Sequence, residues 1–465
     1  MNKKHSYSWK GRCLIQILGA LMIIFVLVSF SWGGFSSAVQ EEPESKEFRL
    51  EKSTKSAVID WVSEKLNEIY VFPEVAKKIE EKMREKFKNG EYDDITDPRR
   101  FARVLSGDMM RIAHDRHMGL RFSLEPSFRV ERLDPEEEKK RLEQKVKSWR
   151  YDNFGFKKAE RLAGNVAYLR FDEFADSVHG GDTAVAALNF FSFCDALIID
   201  LRYNGGGYGD MVKLLSSYFF DEETLLLERY NRNENKTSQS WTSSYIPGKR
   251  LNEVDLYILT RRRTFSAAEA FAFALKNLKR ATIVGEKTGG GAHTVESFRN
   301  EELKMELRVP NARAMDPKTG KNWEGIGVQP DVECPPEKAL DTAYLLALEK
   351  IHARTGPGGN LKEWLAWLID YNKVKSAPVD VGDAVLQSYA GTYGPVRIVF
   401  EEGRLWVLQP GRKDKELLLA KTEDTFIIDG DPNIRIRFEK NEQGEVIAAL
   451  GLFFDGSSDR YAKRK

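Results

Sequence analysis

Between residues 166 and 285 the chain alternates short apolar, β-branched stretches with amphipathic ones, a pattern that few architectures satisfy. Val166-Ala167-Tyr168-Leu169-Arg170-Phe171 has strand character, Thr183 to Phe193 has helical spacing, and Ala196-Leu197-Ile198-Ile199-Asp200-Leu201 is apolar almost throughout. A glycine loop, Asn204-Gly205-Gly206-Gly207, leads into a helical stretch from Asp210 to Phe219. The alternation then resumes with Leu256 to Thr260 (strand), Ala267 to Leu278 (helix) and Thr282 to Gly285 (strand). A strand without polar alternation has no face to give to water, so it must be covered on both sides. The pattern predicts an α/β core with parallel pairing over residues 155–336.

The flanks read differently. Val58, Trp61, Val62, Leu66 and Ile69, then Ile79, Met83 and Phe87, then Phe101, Val104, Leu105, Met109 and Ile112, recur at helical spacing and predict a helical bundle over 48–120. Asp134 to Trp149, rich in Glu and Lys, reads as a solvated helix or linker. Leu340 to Ile351 and Leu361 to Tyr371 predict a helical connector over 337–374. Short strands separated by turns such as Glu402-Gly403 and Asp429-Gly430 predict a small antiparallel β-domain or barrel over 379–465.

Residues 1–40 form a unit of their own. Lys3, Lys4, Lys10 and Arg12 precede an uncharged apolar run from Leu14 to Trp32, and Ser36-Ser37-Ala38 follows. This is the layout of a signal peptide, or, uncleaved, of a membrane anchor through residues 14–32. Either reading places the rest outside the cytoplasm: periplasmic, secreted or held at the membrane. With 72 Lys and Arg against 71 Asp and Glu there is no net field to attract nucleic acid. Cys13, Cys194 and Cys334 are too few and too scattered for a disulfide framework or a zinc site.

Four segments could carry chemistry. Ser266 follows a buried strand and opens a helix, where free backbone N–H groups suit an oxyanion. Ser266-x-x-Glu269 is equally a capping box, which needs no catalytic role. The glycines at 205–207 allow close approach of backbone to ligand, yet they lack the Lys-Ser/Thr of a phosphate loop and the third glycine of a dinucleotide fingerprint. His114 and His117 stand three apart, but no third clustered ligand makes them a metal site. His179, His293 and His352 read as loop or surface residues, so His117 is one of few candidate bases. Asn322 to Asp331 is a glycine-punctuated loop carrying Glu324.

Together and in this order, the four segments resemble the tail-specific (C-terminal processing) serine peptidases. Residues 52–335 are most similar to the branch containing the tricorn protease core and the interphotoreceptor retinoid-binding protein repeats. Asp200-Leu201-Arg202-Tyr203-Asn204-Gly205-Gly206-Gly207 matches that family's D-x-R-x-N-x-G-G segment, Thr264 to Glu269 its serine motif, and Glu324 to Asp331 its E-x-x-G-V-x-P-D. The resemblance implies a crotonase-like (ClpP-like) core, with Ser266 as nucleophile, His117 as general base and Glu324 as its orienting partner. The Gly206 and Ala267 amides would form the oxyanion hole, with no metal or cofactor. Gly289-Gly290-Gly291-Ala292 lacks the lysine of the Ser–Lys members, which favours Ser–His chemistry. Arg116 stands where tricorn has a serine, so the route from Glu324 to His117 is open between water and direct contact. Peptide or protein substrates follow from the resemblance, and a homo-oligomer is compatible with it. The rival on the same scaffold is a catalytically silent binding protein for apolar ligands or peptides.

Overall fold

The computed structural model describes residues 50–124, 135–357 and 359–464. The leader and anchor readings, at 1–40, lie outside these residues. Among the described residues no helix is long and apolar enough to cross a membrane.

Helices α1 (Lys52–Ile69), α2 (Pro73–Lys88) and α3 (Pro98–Ala113) pack through the expected apolar faces, burying Val58, Val62, Leu66, Ile79, Met83, Phe101, Leu105 and Met109 completely. Strand β1 (Gly119–Phe122) and helix α4 (Pro135–Tyr151) follow. α4 is less solvated than its charge suggests, because Val146 and Trp149 are buried beside Ala175.

The core then runs β2 (Phe156–Leu162), β3 (Val166–Phe171), α5 (Ser177–Phe190), β4 (Ala196–Asp200), α6 (Gly209–Ser217), β5 (Leu225–Asn231), β6 (Lys236–Trp241), β7 (Asp255–Thr260), α7 (Ala267–Asn277), β8 (Ala281–Gly285), β9 (His293–Asn300), β10 (Met305–Met315) and β11 (Val332–Glu333). Its central sheet has the order β11-β8-β7-β4-β3-β2, parallel except for the β2–β3 pair. The apolar run of β4 is explained by its two covered faces. Leu197 and Ile199 face the layer of α5, α6 and α7. Ala196 and Ile198 face α8 (Ala339–Arg354) and α9 (Asn360–Ser376), the two helices read from the sequence as a connector.

A second sheet, β1-β10-β5-β6 with β9 also on β10, was not read from the sequence beyond a possible strand over Met118 to Phe122. In β6 all but Ser240 are exposed and no apolar period marks it, whereas β10 alternates apolar Met305, Leu307 and Val309 with polar Glu306 and Arg308. Through Met305, Leu307 and Val309, β10 enters the apolar cluster of the helical bundle. That contact ties the loop after α3 to the core.

Helix α10 (Asp383–Tyr389) and eight sequential antiparallel strands, β12 (Gly391–Tyr393), β13 (Val396–Glu401), β14 (Arg404–Leu408), β15 (Glu416–Ala420), β16 (Thr425–Ile428), β17 (Asp431–Lys440), β18 (Val446–Phe453) and β19 (Ser458–Ala462), complete the chain. A bridge between Tyr393 and Lys463 brings the first strand to the end of the last, so the sheet nearly closes on itself.

Candidate active site

The turn between β7 and α7 holds Ser266 at φ 55° and ψ −119°. A side chain rarely takes this conformation, which costs about 1–3 kcal/mol and persists only where surrounding structure enforces it. The enforcing group is Glu269. Its carboxylate is wholly buried and accepts the Ser266 N–H at 2.9 Å, the Gly290 and Gly291 N–H groups at 2.7 and 2.8 Å, and the Thr288 hydroxyl at 2.5 Å. Burial pushes this carboxyl above the usual carboxylate range, and those four donors pull the other way. Ser266 and Glu269 thus form the anticipated capping box, although the Ser266 backbone is not the extended one of an N-cap.

The glycine loop lies directly against this turn. A Cβ on Gly206 (φ 108°) would stand 2.8 Å from Ser266 Cβ, and one on Gly207 (φ 137°) 2.1 Å from the Phe174 carbonyl oxygen, so neither position admits a side chain. The Gly206 amide, implied by the resemblance as an oxyanion donor, instead donates to Asn204 Oδ1 at 2.8 Å. Asn204 is fully buried and anchored by its own donation to the Phe171 carbonyl at 3.0 Å, so the Gly206 N–H is engaged within the loop. Gly207 and Ala267 line the cavity over Ser266, and among the described residues neither N–H has an acceptor.

His117 arrives from the other side. α3 ends on His114 in the left-handed conformation (φ 52°), which turns the chain so that Asp115 points inward. The His117 ring packs on Phe265, the residue before the serine, with centroids 4.8 Å apart. Its Nδ1 stands 3.9 Å from Glu324 Oε2 and 3.9 Å from Asp115 Oδ1, leaving Nε2 for the cavity side. Among the described residues no hydrogen bond joins His117 to the Ser266 hydroxyl, although both line one cavity of about 500 Å³ together with His293 and Trp323. Such bonds are often long before substrate binds. Burial depresses the His117 imidazole to about 4, with His293, Arg308 and Arg116 adding to the effect and Asp115 opposing it. The ring is therefore neutral at pH 7.

Glu324 accepts the Ala292 N–H at 2.5 Å, and burial followed by the charge of Asp115 pushes it up to about 7. Two partners escaped the sequence reading. Asp115 is completely buried. His293, expected on a loop or surface, is buried in β9 with its Nδ1 2.5 Å from Asp115 Oδ2 and 3.5 Å from Glu324 Oε2. Asp115's position two residues before the base was a usable signal. His293 offered none, because its strand has no apolar period. Asp115, His117 and Glu324 also bring ligand atoms within 4.8 Å of one another, a set that could hold a metal ion. His114, considered with His117 as a ligand pair, serves instead as a helix cap.

The Peptidase family S41 model matches residues 165–334, which include Ser266 and Glu324. The model of the N-terminal domain of Peptidase S41 in eukaryotic IRBP matches residues 49–149, which include His117. The chain belongs to Peptidase family S41. Among its S41 relatives, the "Carboxyl-terminal-processing protease" of Picosynechococcus sp. is 30% identical over 142 residues, covering 30% of this chain and 31% of that protein. The "Probable CtpA-like serine protease" of Staphylococcus saprophyticus is 25% identical over 180 residues, 38% of this chain and 36% of that one. This S41 chain thus spans about a third of the length of the curated relatives it matches. The solved photosystem II D1 C-terminal processing protease is similar at 15% identity and a TM-score of 0.39, over 62% of this chain and 94% of that one.

Proposed function

We propose that this protein is a serine peptidase that cleaves peptide or protein substrates through a Ser266 acyl-enzyme, on a crotonase-like (ClpP-like) core. The observation that carries this reading is the convergence on one cavity of a strained serine at a helix start and a neutral imidazole backed by carboxylates. His117 Nε2 removes the hydroxyl proton as Ser266 Oγ attacks the scissile carbonyl. Glu324 faces the Nδ1 side and steadies the ring as it becomes positive. The developing oxyanion takes hydrogen bonds from the Gly207 and Ala267 amides, each of which can contribute about 10²–10³ in rate. His117 then returns its proton to the leaving amine, and water repeats the sequence to release the acid. The charged and apolar character of residues 1–40 supports a protein exported from the cytoplasm and cleaved from its leader, or held by residues 14–32.

The test is fluorophosphonate labelling of the full chain. Wild type is expected to label at Ser266 and to hydrolyse denatured protein substrates. Ser266→Ala is expected to lose both with its melting temperature nearly unchanged. An unlabelled but folded wild type sinks the proposal and favours the silent binding protein.

A further inference from the structure

Asp115 is fully buried two residues before the base, and the serine–histidine–glutamate scheme gives it no task. Its Oδ1 accepts the His117 backbone N–H at 3.0 Å and stands as near to His117 Nδ1 as Glu324 does. Its Oδ2 meets His293 Nδ1 at 2.5 Å, a contact made wholly inside the protein. His293 Nδ1 is also 3.5 Å from Glu324 Oε2, so one imidazole edge stands between two buried carboxylates. Two carboxylates this deep repel each other unless a proton-bearing group lies between them. His293 occupies that place. Its ring is kept in position by Phe72, with centroids 5.6 Å apart, and Phe72 in turn lies under the Arg313 guanidinium.

The geometry points to Asp115, gripped by His293, as a second positioning carboxylate for His117, so that the base is oriented by an Asp–His pair as well as by Glu324. This rests on the peptidase reading of the cavity. Asp115 acts through His117 and fixes its loop and its ring together. Glu324, bound to the Ala292 amide, ties the same ring to the glycine segment after β8.

The groups facing His117 and Glu324 give the pair a signature that simple structural support would lack. Around them stand Asp115, His293, Arg116 and Arg308, with the Tyr70 phenol pushed up by burial and by both carboxylates. Asp115 favours the proton on His117 and also on Glu324, whereas His293 disfavours it on both. Removing either therefore moves the acid limb of a pH–rate profile in a fixed direction, whichever of the two groups governs that limb.

The experiment measures the second-order rate of fluorophosphonate labelling against pH for the full-length wild type, Asp115→Asn and His293→Gln. Asp115→Asn is expected to shift the acid limb to lower pH and to cut the limiting rate about 10²-fold. That is less than the roughly 10⁴-fold loss expected where one carboxylate orients the base alone. His293→Gln is expected to shift the limb to higher pH with a smaller fall in rate. Shifts in the same direction, or rates lowered with no shift, overturn the inference. Absence of labelling in wild type sinks the peptidase reading instead, and NMR titration of the His117 ring then reads the same opposite shifts without catalysis. Should neither variant fold, the wild type decides: a strongly downfield, slowly exchanging Nδ1–H on His293 supports the pair, and a bare Nδ1 overturns it.

Discussion

The S41 core and the C-terminal β-domain use burial for opposite purposes. In the core, the space among the bundle, β9 and the glycine loops holds Asp115, Glu269 and His293 almost wholly buried, with Glu324 nearly so. In the β-domain Arg435 is the one charged residue buried among those described, and it is paired with Asp370 at 2.5 Å and stacked on Trp367. The rest of that interior is apolar, with Tyr389 stacked on Phe438 at 4.2 Å. A low-dielectric interior stabilises a fold when filled with hydrocarbon, and it perturbs protonation when filled with carboxylates and imidazoles. One region is built for packing. The other accepts strain at Ser266 and raised or lowered proton affinities, the kind of setting found at functional sites.

Three changes would break or sharpen that contrast. The largest is Phe438→Ala, a buried ring lost from the β-domain, which should cost about 3–5 kcal/mol of stability by denaturant melting. Ser266 labelling is expected to persist below the transition, and loss of labelling by the folded variant would mean that the two regions are not separable. Next is Glu269→Gln, which removes the charge that four donors share. It should cost roughly 1–3 kcal/mol and also slow labelling, because the Ser266 turn and the glycine segment lose their common anchor. A purely structural Glu269 would affect only the first readout.

The third change, Glu324→Gln, is read in its pH dependence. The folded value lies near 7, above the ordinary 4.5, so the contribution of Glu324 to stability is complete below pH 4.5 and is lost as pH rises through 7. The wild type should therefore lose stability relative to Glu324→Gln between about pH 4.5 and 7 when melting temperatures are compared. A constant difference across that range would show that Glu324 keeps an ordinary proton affinity. His117, depressed to about 4, works in the other sense: its contribution is present above pH 6.5 and lost as pH falls through 4.

Much of this was legible without coordinates. Period and length alone marked the bundle helices, the parallel strands β3, β4, β7 and β8, and the succession of short β-domain strands, because each buries an apolar stripe or face that the sequence must supply. The serine motif and Glu324 were legible as motifs, and His117 by the scarcity of histidines. Hidden were β5, β6 and β9, largely half-exposed strands held by backbone pairing, whereas the alternation of Met305, Leu307 and Val309 in β10 was there to be read and was not.

The sequence by itself determined which stretches must be buried, and hence the layered α/β core, because the transfer of apolar side chains from water is local and additive. Only the tertiary structure decided which polar groups meet. The pairing of Asp115 with His293 spans 178 positions, and the Gly206 amide is engaged because one asparagine oxygen reaches it. Hydrogen bonds and proton affinities depend on ångström distances and on local desolvation, and those exist only after the chain has closed around them.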